Sequence, residues 1–138
     1  MNRPEEIVRK YYEAFNARDF EAYARLFAAD CVTEAPGVSV RGVDGVRAFD
    51  HGWIGAFPAA RIETMRMTTA GDVVVAGNWF HAGKHEGTLR TPAGDIPATG
   101  APFEAPYLSR FEIADGRIKL QRLLFEPDFV PLKLGLRA

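Results

Sequence analysis

An aspartate set inside an apolar helical pattern is the first residue of this chain whose type and spacing could do chemistry. Val46, Phe49, Asp50, Trp53 and Phe57 fall at the three- and four-residue intervals that put side chains on one stripe of a helix. A carboxylate on an inward stripe must be hydrogen-bonded, paired, or shifted toward its protonated form, because burying a bare charge is costly. That shift is what a general base working near neutral pH needs. Turning the helix by one residue leaves Asp50 at a solvated edge instead, and the spacing alone admits both placements.

His81 is the second candidate. It lies in the run 71–89, GDVVVAGNWFHAGKHEGTL, whose β-branched start after a Gly71-Asp72 turn signal predicts a strand. Alternation puts Val75, Gly77, Trp79, His81, Gly83 and His85 on one face, and Asn78, Phe80, Ala82 and Lys84 on the other. If the first face lines a cavity, His81 stands among Trp79, Tyr107 and Phe111, titrates near neutral pH and can relay a proton with Asp50. The plainer reading is a hydrogen-bonded structural histidine. His51 follows Asp50 directly but points about 100° away around a helix, so the two form no dyad by adjacency. His85, past the Gly83 bend, is expected at a rim or between strands.

Tyr11 offers a phenol that could hold a carbonyl oxygen becoming an enolate, or an ordinary core aromatic of an amphipathic helix. Trp53, Phe57, Trp79, Tyr107 and Phe125 describe an aromatic lining for a flat polycyclic ligand, and equally an ordinary core. Glu126 and Asp128 follow the last expected strand and read as solvated carboxylates at a cavity mouth or subunit edge.

The elements that must position these residues follow from periodicity and punctuation. Pro4, Glu5 and Glu6 open a helix with Ile7, Tyr11, Ala14 and Phe15 as its apolar stripe. Asp19 caps a second helix carrying Phe20, Tyr23 and Phe27, and a short strand 31–35 ends at Pro36-Gly37. Asp44 caps a third helix reaching Phe57. From residue 61 the pattern turns to sheet, with strands expected at 61–68, 72–89, 101–113 and 117–125. Asp115-Gly116 supplies the positive φ values of a tight hairpin turn. Residues 91–102 read as a loop or irregular hairpin end, and Pro102 and Pro106 require an edge or a bulge. Helices first and antiparallel strands later imply an α+β fold with helices over one sheet face. The last strand is apolar on both faces near its end, which points to a homodimer; the alternative cover is the Pro-interrupted tail.

The 138 residues suit one domain, 1–138, with a core that needs no metal or disulfide. Cys31 is the only cysteine, and no metal-ligand spacing accompanies it, so a reducing cytoplasm and no metal are expected. Net charge near zero without a basic cluster argues against nucleic acid, and no apolar run reaches membrane-span length.

In order along the chain, YYEAFNARDFEAYARLFAADCVTEAPG, RGVDGVRAF, AFP, the Gly83-x-His85-x-Gly87 run, PATG, FEIADGRI and LGL resemble the SnoaL-like polyketide cyclases of the NTF2-like superfamily. The resemblance implies a conical barrel, with three N-terminal helices packed on a curved, mostly antiparallel sheet, a deep apolar cavity and a dimer through the outer sheet face. It implies inward positions at Trp79, His81, Tyr107, Phe111, Gln121 and Phe125. The cyclases carry an acid on the last strand where this chain has Leu123. The related ketosteroid isomerases match at Tyr11, but have acids where this chain has Ala35 and Ser109. The expectation is therefore cofactor-independent acid/base chemistry on a hydrophobic cyclic carbonyl compound, by cyclisation or isomerisation through an enolate. Asp50 or His81 would be the base, Tyr11 would hold the oxygen, and Trp53, Phe57, Trp79, Tyr107, Ser109, Gln121, Leu123 and Phe125 would bind substrate. The replaced acids keep open a non-catalytic protein that binds a hydrophobic metabolite, and a third reading is a structural dimer with a filled core.

Overall fold

The computed structural model describes residues 3–92 and 94–126. Helix α1 (Pro4–Ala17) and the short α2 (Phe20–Ala24) lead into β1 (Phe27–Ala35) and β2 (Val38–Arg41). Helix α3 (Gly42–Ala56) follows, then β3 (Arg61–Ala70), β4 (Val73–Lys84), a small hairpin of β5 (Leu89–Thr91) and β6 (Gly94–Ile96), and finally β7 (Pro102–Ala114) and β8 (Arg117–Leu124). The long strands form one six-stranded sheet in the order β2-β1-β8-β7-β4-β3. All pairings are antiparallel except β1 with β8.

Three expectations change here. The third helix comes after two strands rather than after the single strand read at 31–35, and the sheet is open, because β2 and β3 are its edges and do not pair. The second helix is also shorter than its aromatic spacing suggests. Phe27 already belongs to β1 and lies buried beside Ile118 of β8, so tertiary pairing overrides the local helical period.

The strand punctuation is as read. Asp115 and Gly116 both have positive φ, 53° and 76°, and close the β7–β8 hairpin. Pro102 and Pro106 lie in the part of β7 that pairs with β4 alone, since β8 pairs only from Leu108 onward. Their missing N–H groups therefore leave no ladder bond unmade on the open side.

The helices cover the inner sheet face, α1 against β3, β4 and β8, and α3 against β1. The stripe foreseen on α1, Ile7, Tyr11, Ala14 and Phe15, is buried and joins Tyr23, Phe27, Val46, Val74, Phe111 and Ile118 in the main core. The end of α1 is fixed by polar contacts. The Asn16 side chain donates to Ile62 O and accepts from Ile62 N, both at 2.8 Å, which ties the helix to β3. A second cluster, Ala56, Phe57, Ala60, Ala82, Leu89, Phe103 and Ala105, sits where the small hairpin meets the end of α3. The chain crosses that helix end closely: Glu86 N and Gly87 N both donate to Ala56 O. A Cβ on Gly87 would lie 2.1 Å from Gly55 O, so only glycine fits.

Candidate functional site

Asp50 lies on the buried side of α3, 4% exposed, on the stripe with Val46 and Phe57 that the spacing indicated. Tyr11 from α1 and Tyr23 from α2 both donate to the same carboxylate oxygen, Oδ2, at 3.0 and 2.5 Å. Among the described residues nothing bonds to Oδ1, and that atom is not sealed from solvent-sized space. Asp50 stands in the wall of a pocket of about 60 Å³. Phe15, Trp53, Phe80, Phe103, Tyr107, Leu123 and Phe125 make most of the remaining wall, and Glu126 stands among the lining residues. The aromatic walls cross one another. Trp53 meets Phe80 and Phe125 edge-on at 5.6 and 6.2 Å, and Phe80 meets Tyr107 edge-on at 6.4 Å.

Behind the carboxylate runs a donor chain with a fixed sense. Thr33 Oγ1 donates to Gln121 Oε1 at 3.2 Å, and Gln121 Nε2 donates to the Tyr11 hydroxyl oxygen at 3.0 Å. The Tyr11 oxygen thus accepts from Gln121, and its one proton goes to Asp50. A parallel buried group stands on the sheet, where Asn78 Nδ2 donates to the Tyr12 hydroxyl oxygen at 3.0 Å and Ser109 lies beside the hydroxyls of Tyr12 and Tyr107.

The electrostatics follow from burial. Loss of water raises the Asp50 carboxyl from 3.8 to about 6, and the bonds from Tyr23 and Tyr11 oppose this without cancelling it. Desolvation, reinforced by the Asp50 charge, drives Tyr11 and Tyr23 well upward, so both stay protonated donors. Burial pushes Tyr12 up to about 12, against the pull of Ser109 and Asn78. Tyr107 is raised by burial, then by Tyr12 and Asp50, with Ser109 pulling the other way.

Of the expected site residues, Asp50, Tyr11, Trp53, Tyr107, Leu123 and Phe125 share the pocket wall. Gln121 is buried one layer behind it, through its bond to Tyr11, and Ser109 is buried next to Tyr107. Phe57 is wholly buried in the second cluster, stacked on Phe103 at 5.5 Å, and does not line the pocket. Tyr11 does not offer its proton to the pocket, because Asp50 takes it.

His81 and Trp79 are corrected. On β4 the buried side chains are Val74, Ala76, Asn78 and Ala82, so the inward face is the one opposite to that expected. His81 stands on the outer face, with Nδ1 2.9 Å from Glu104 and Nε2 2.9 Å from Glu63. Bonds to those two carboxylates raise its pKa, and it has no part in the Asp50 group. Of the two places expected for His85, a rim or a contact between strands, the rim is excluded: the β4–β7 register shifts between His81 and Gly83, where Gly83 has φ 75°, alternation inverts, and His85 is fully buried against the segment of Thr99 to Ala101. Its Nδ1 accepts from Thr99 N at 3.2 Å, and its ring packs on Phe57 at 5.1 Å, which fastens His85 and Thr99 to the second cluster.

Tyr23, Thr33 and Asn78 escaped sequence reasoning. Tyr23 has the spacing of a core aromatic, and nothing local marks its hydroxyl as an aspartate ligand 27 residues distant. Among the described residues no group of three or more His, Cys, Asp or Glu side chains could hold a metal ion. No described helix is long and apolar enough to cross a membrane. Asp128 and the tail around it lie outside the described residues.

The family model for the SnoaL-like domain matches residues 8–121. No curated protein matches the chain. Among solved structures, a candidate SnoaL-like polyketide cyclase from Jannaschia sp. CCS1 superposes with a TM-score of 0.86 at 18% identity, over 100% of this chain and 99% of that one. IdmH, a candidate polyketide cyclase from Streptomyces antibioticus, gives 0.80 at 24% identity over 97% and 99%. TerC, crystallised with polyporic acid, gives 0.78 at 14% identity over 96% and 98%. At these identities the likeness is one of fold.

Proposed function

The chain belongs to the SnoaL-like domain family, and from that premise we propose that it is a cofactor-independent enzyme acting on a hydrophobic cyclic carbonyl compound. Asp50 Oδ1 takes a proton from the carbon next to the carbonyl. The C–H electron pair becomes the enolate double bond, and the carbonyl electrons move to oxygen. Return of the proton to another carbon gives isomerisation; attack of the enolate carbon on a second carbonyl of the same molecule closes the ring, the C=O electron pair moving to that oxygen, which takes the proton held by Asp50. The observation that carries the reading is a buried carboxylate in the wall of an apolar, aromatic pocket, with one oxygen saturated by two tyrosines and nothing bonded to the other among the described residues. With its pKa near 6, Asp50 is ionised in roughly nine of ten molecules at pH 7 and still basic enough to accept a carbon proton. Tyr11 and Tyr23 hold the base, and Trp53, Tyr107, Leu123 and Phe125 contact the substrate. TerC's polyporic acid, a ligand of a relative of like fold, fits the same class of compound.

The test is solvent-deuterium exchange into a panel of mono- to tricyclic ketones, followed by mass spectrometry. Wild type should exchange faster as pH rises through about 6, and Asp50→Asn should be about 100-fold slower or worse. Equal exchange by that variant removes Asp50 as the base.

A second reading, a non-catalytic binder of a hydrophobic metabolite, is favoured by Leu123, which lines the pocket where the cyclases carry their acid. It predicts retention of a compound with no mass change and no exchange. For assembly, we place a second copy on the outer sheet face. Leu108 and Leu124 pair across neighbouring strands there, each 48% exposed, and Val75 shares that face. Leu108→Lys with Leu124→Lys should convert a sedimenting dimer to a monomer. We assign the protein to the reducing cytoplasm on the strength of its buried, unbridged Cys31.

A further inference from the structure

We infer that Tyr107 is the catalytic donor that holds the substrate oxygen as it becomes an enolate. This rests on the proton-abstraction reading above and goes beyond it by naming the group that stabilises the charge.

An enolate formed in an apolar pocket needs a positioned donor, because no water is there to solvate it. The pocket wall offers few polar side chains. Asp50 is the base, and the Tyr11 proton is committed to Asp50. Glu126, when ionised, can only accept. Two residues of the wall with a donor remain, Tyr107 and Trp53.

Geometry and chemistry favour the phenol. Tyr107 sits on β7 directly across from Asn78 and edge-on to Phe80, so it comes from the sheet wall, while Asp50 comes from the helix wall. A flat substrate between the two walls would present its C–H to one and its oxygen to the other. Trp53 lies three residues from Asp50 on the same helix and shares its wall. Among the described residues no acceptor takes the Tyr107 proton, and its oxygen is not among the buried atoms left without a partner. Ser109, two residues along the same strand face, is fully buried, and its Oγ makes no hydrogen bond to the described residues. A phenol also matches an enol in acidity far better than an indole does, so proton sharing with the developing oxyanion is stronger.

The experiment uses 2-naphthol as a planar oxyanion probe, with affinity measured by calorimetry across the pH range in which the naphthol ionises. Asp50→Asn imitates the base after it has taken its proton, and should bind the naphtholate at least about tenfold tighter than wild type, because a like charge is gone. Adding Tyr107→Phe should then lose about tenfold or more, the loss expected for one hydrogen bond to a charged oxygen. Adding Trp53→Phe should leave the preference for the anion over neutral 2-naphthol intact. Melting temperature should not fall in Tyr107→Phe, since no hydrogen bond among the described residues is lost and Ser109 Oγ is already without a partner. Equal naphtholate affinity with and without the Tyr107 hydroxyl overturns the inference, as does a loss confined to Trp53→Phe. Failure of Asp50→Asn to tighten binding, with the Tyr107 effect retained, sinks the base assignment and leaves the oxyanion donor standing. No naphtholate binding by any variant overturns both.

Discussion

Replacing Asp50 by asparagine isolates the cost of keeping a carboxylate in the core. In the folded chain its pKa is about 6 against an ordinary 3.8. Because the folded value is raised, the group's contribution to stability is fully present below 3.8 and is lost as pH rises through about 6. The difference amounts to about 3 kcal/mol between the two limits, at roughly 1.36 kcal/mol for each pH unit. Asparagine keeps the shape and can still accept from Tyr11 and Tyr23 through its oxygen, but it does not ionise. The stability of Asp50→Asn minus that of wild type should therefore climb by about 3 kcal/mol from strongly acidic to neutral pH, or about 10 °C in melting temperature for a chain of this size. Surface pairs such as Asp30 with Lys119 and Glu34 with Arg122 are common to both proteins and cancel in the difference. Urea unfolding at a series of pH values supplies the curve, and carboxyl-carbon NMR gives the titration midpoint directly. A flat difference refutes the argument. So does one that falls with rising pH, which would mean that the tyrosine bonds outweigh desolvation.

Further outcomes follow from the same contacts. Tyr23→Phe removes a donor from the charged form and should move the Asp50 midpoint above about 6, read by the same NMR titration. Tyr11→Phe should do so too, and should cost about 1–3 kcal/mol in urea unfolding because Gln121 Nε2 loses its acceptor. His81→Gln should leave the pH dependence of ketone exchange unchanged. It should remove a small stabilisation that wild type shows below the ordinary histidine value and loses as pH rises through the elevated one. Gly87→Ala should destabilise by about 1–3 kcal/mol or displace residues 85–88 from the end of α3, seen as faster amide exchange of Glu86 and residue 87.

The composition of β4 shows how far the sequence carried the candidate site. Its alternation was legible, and so were the two sets of side chains it produces, but which set faces the helices was not. Trp79 and His81 drew attention to one face because they can do chemistry. The opposite set, Val74, Ala76, Phe80 and Ala82 around Asn78, is the more uniformly apolar, and this was the available signal for the inward face. Burial follows the sum of apolar area along a face rather than the chemical interest of one residue. The shift at Gly83 then inverts the pattern again for His85, and a bulge of this kind depends on the partner strand as much as on the glycine itself.

What the sequence determined alone is the information carried over a few residues. It placed the first helix and its stripe, the Asp115-Gly116 turn and the positions of the long strands, because helical and strand periods and turn preferences act locally; for Asp50 it left an inward and a solvated placement open, and packing chose the inward one. Only the tertiary structure decided which sheet face is the core, that a second strand, β2, precedes the third helix, and that the sheet stays open. It alone brought Tyr23, Tyr11 and, through Gln121, Thr33 to Asp50. Those partners come from separate elements, and bonds between side chains 27 to 110 residues apart leave no local trace. Their selection is made by packing, when buried polar groups must find one another because water is no longer there to satisfy them.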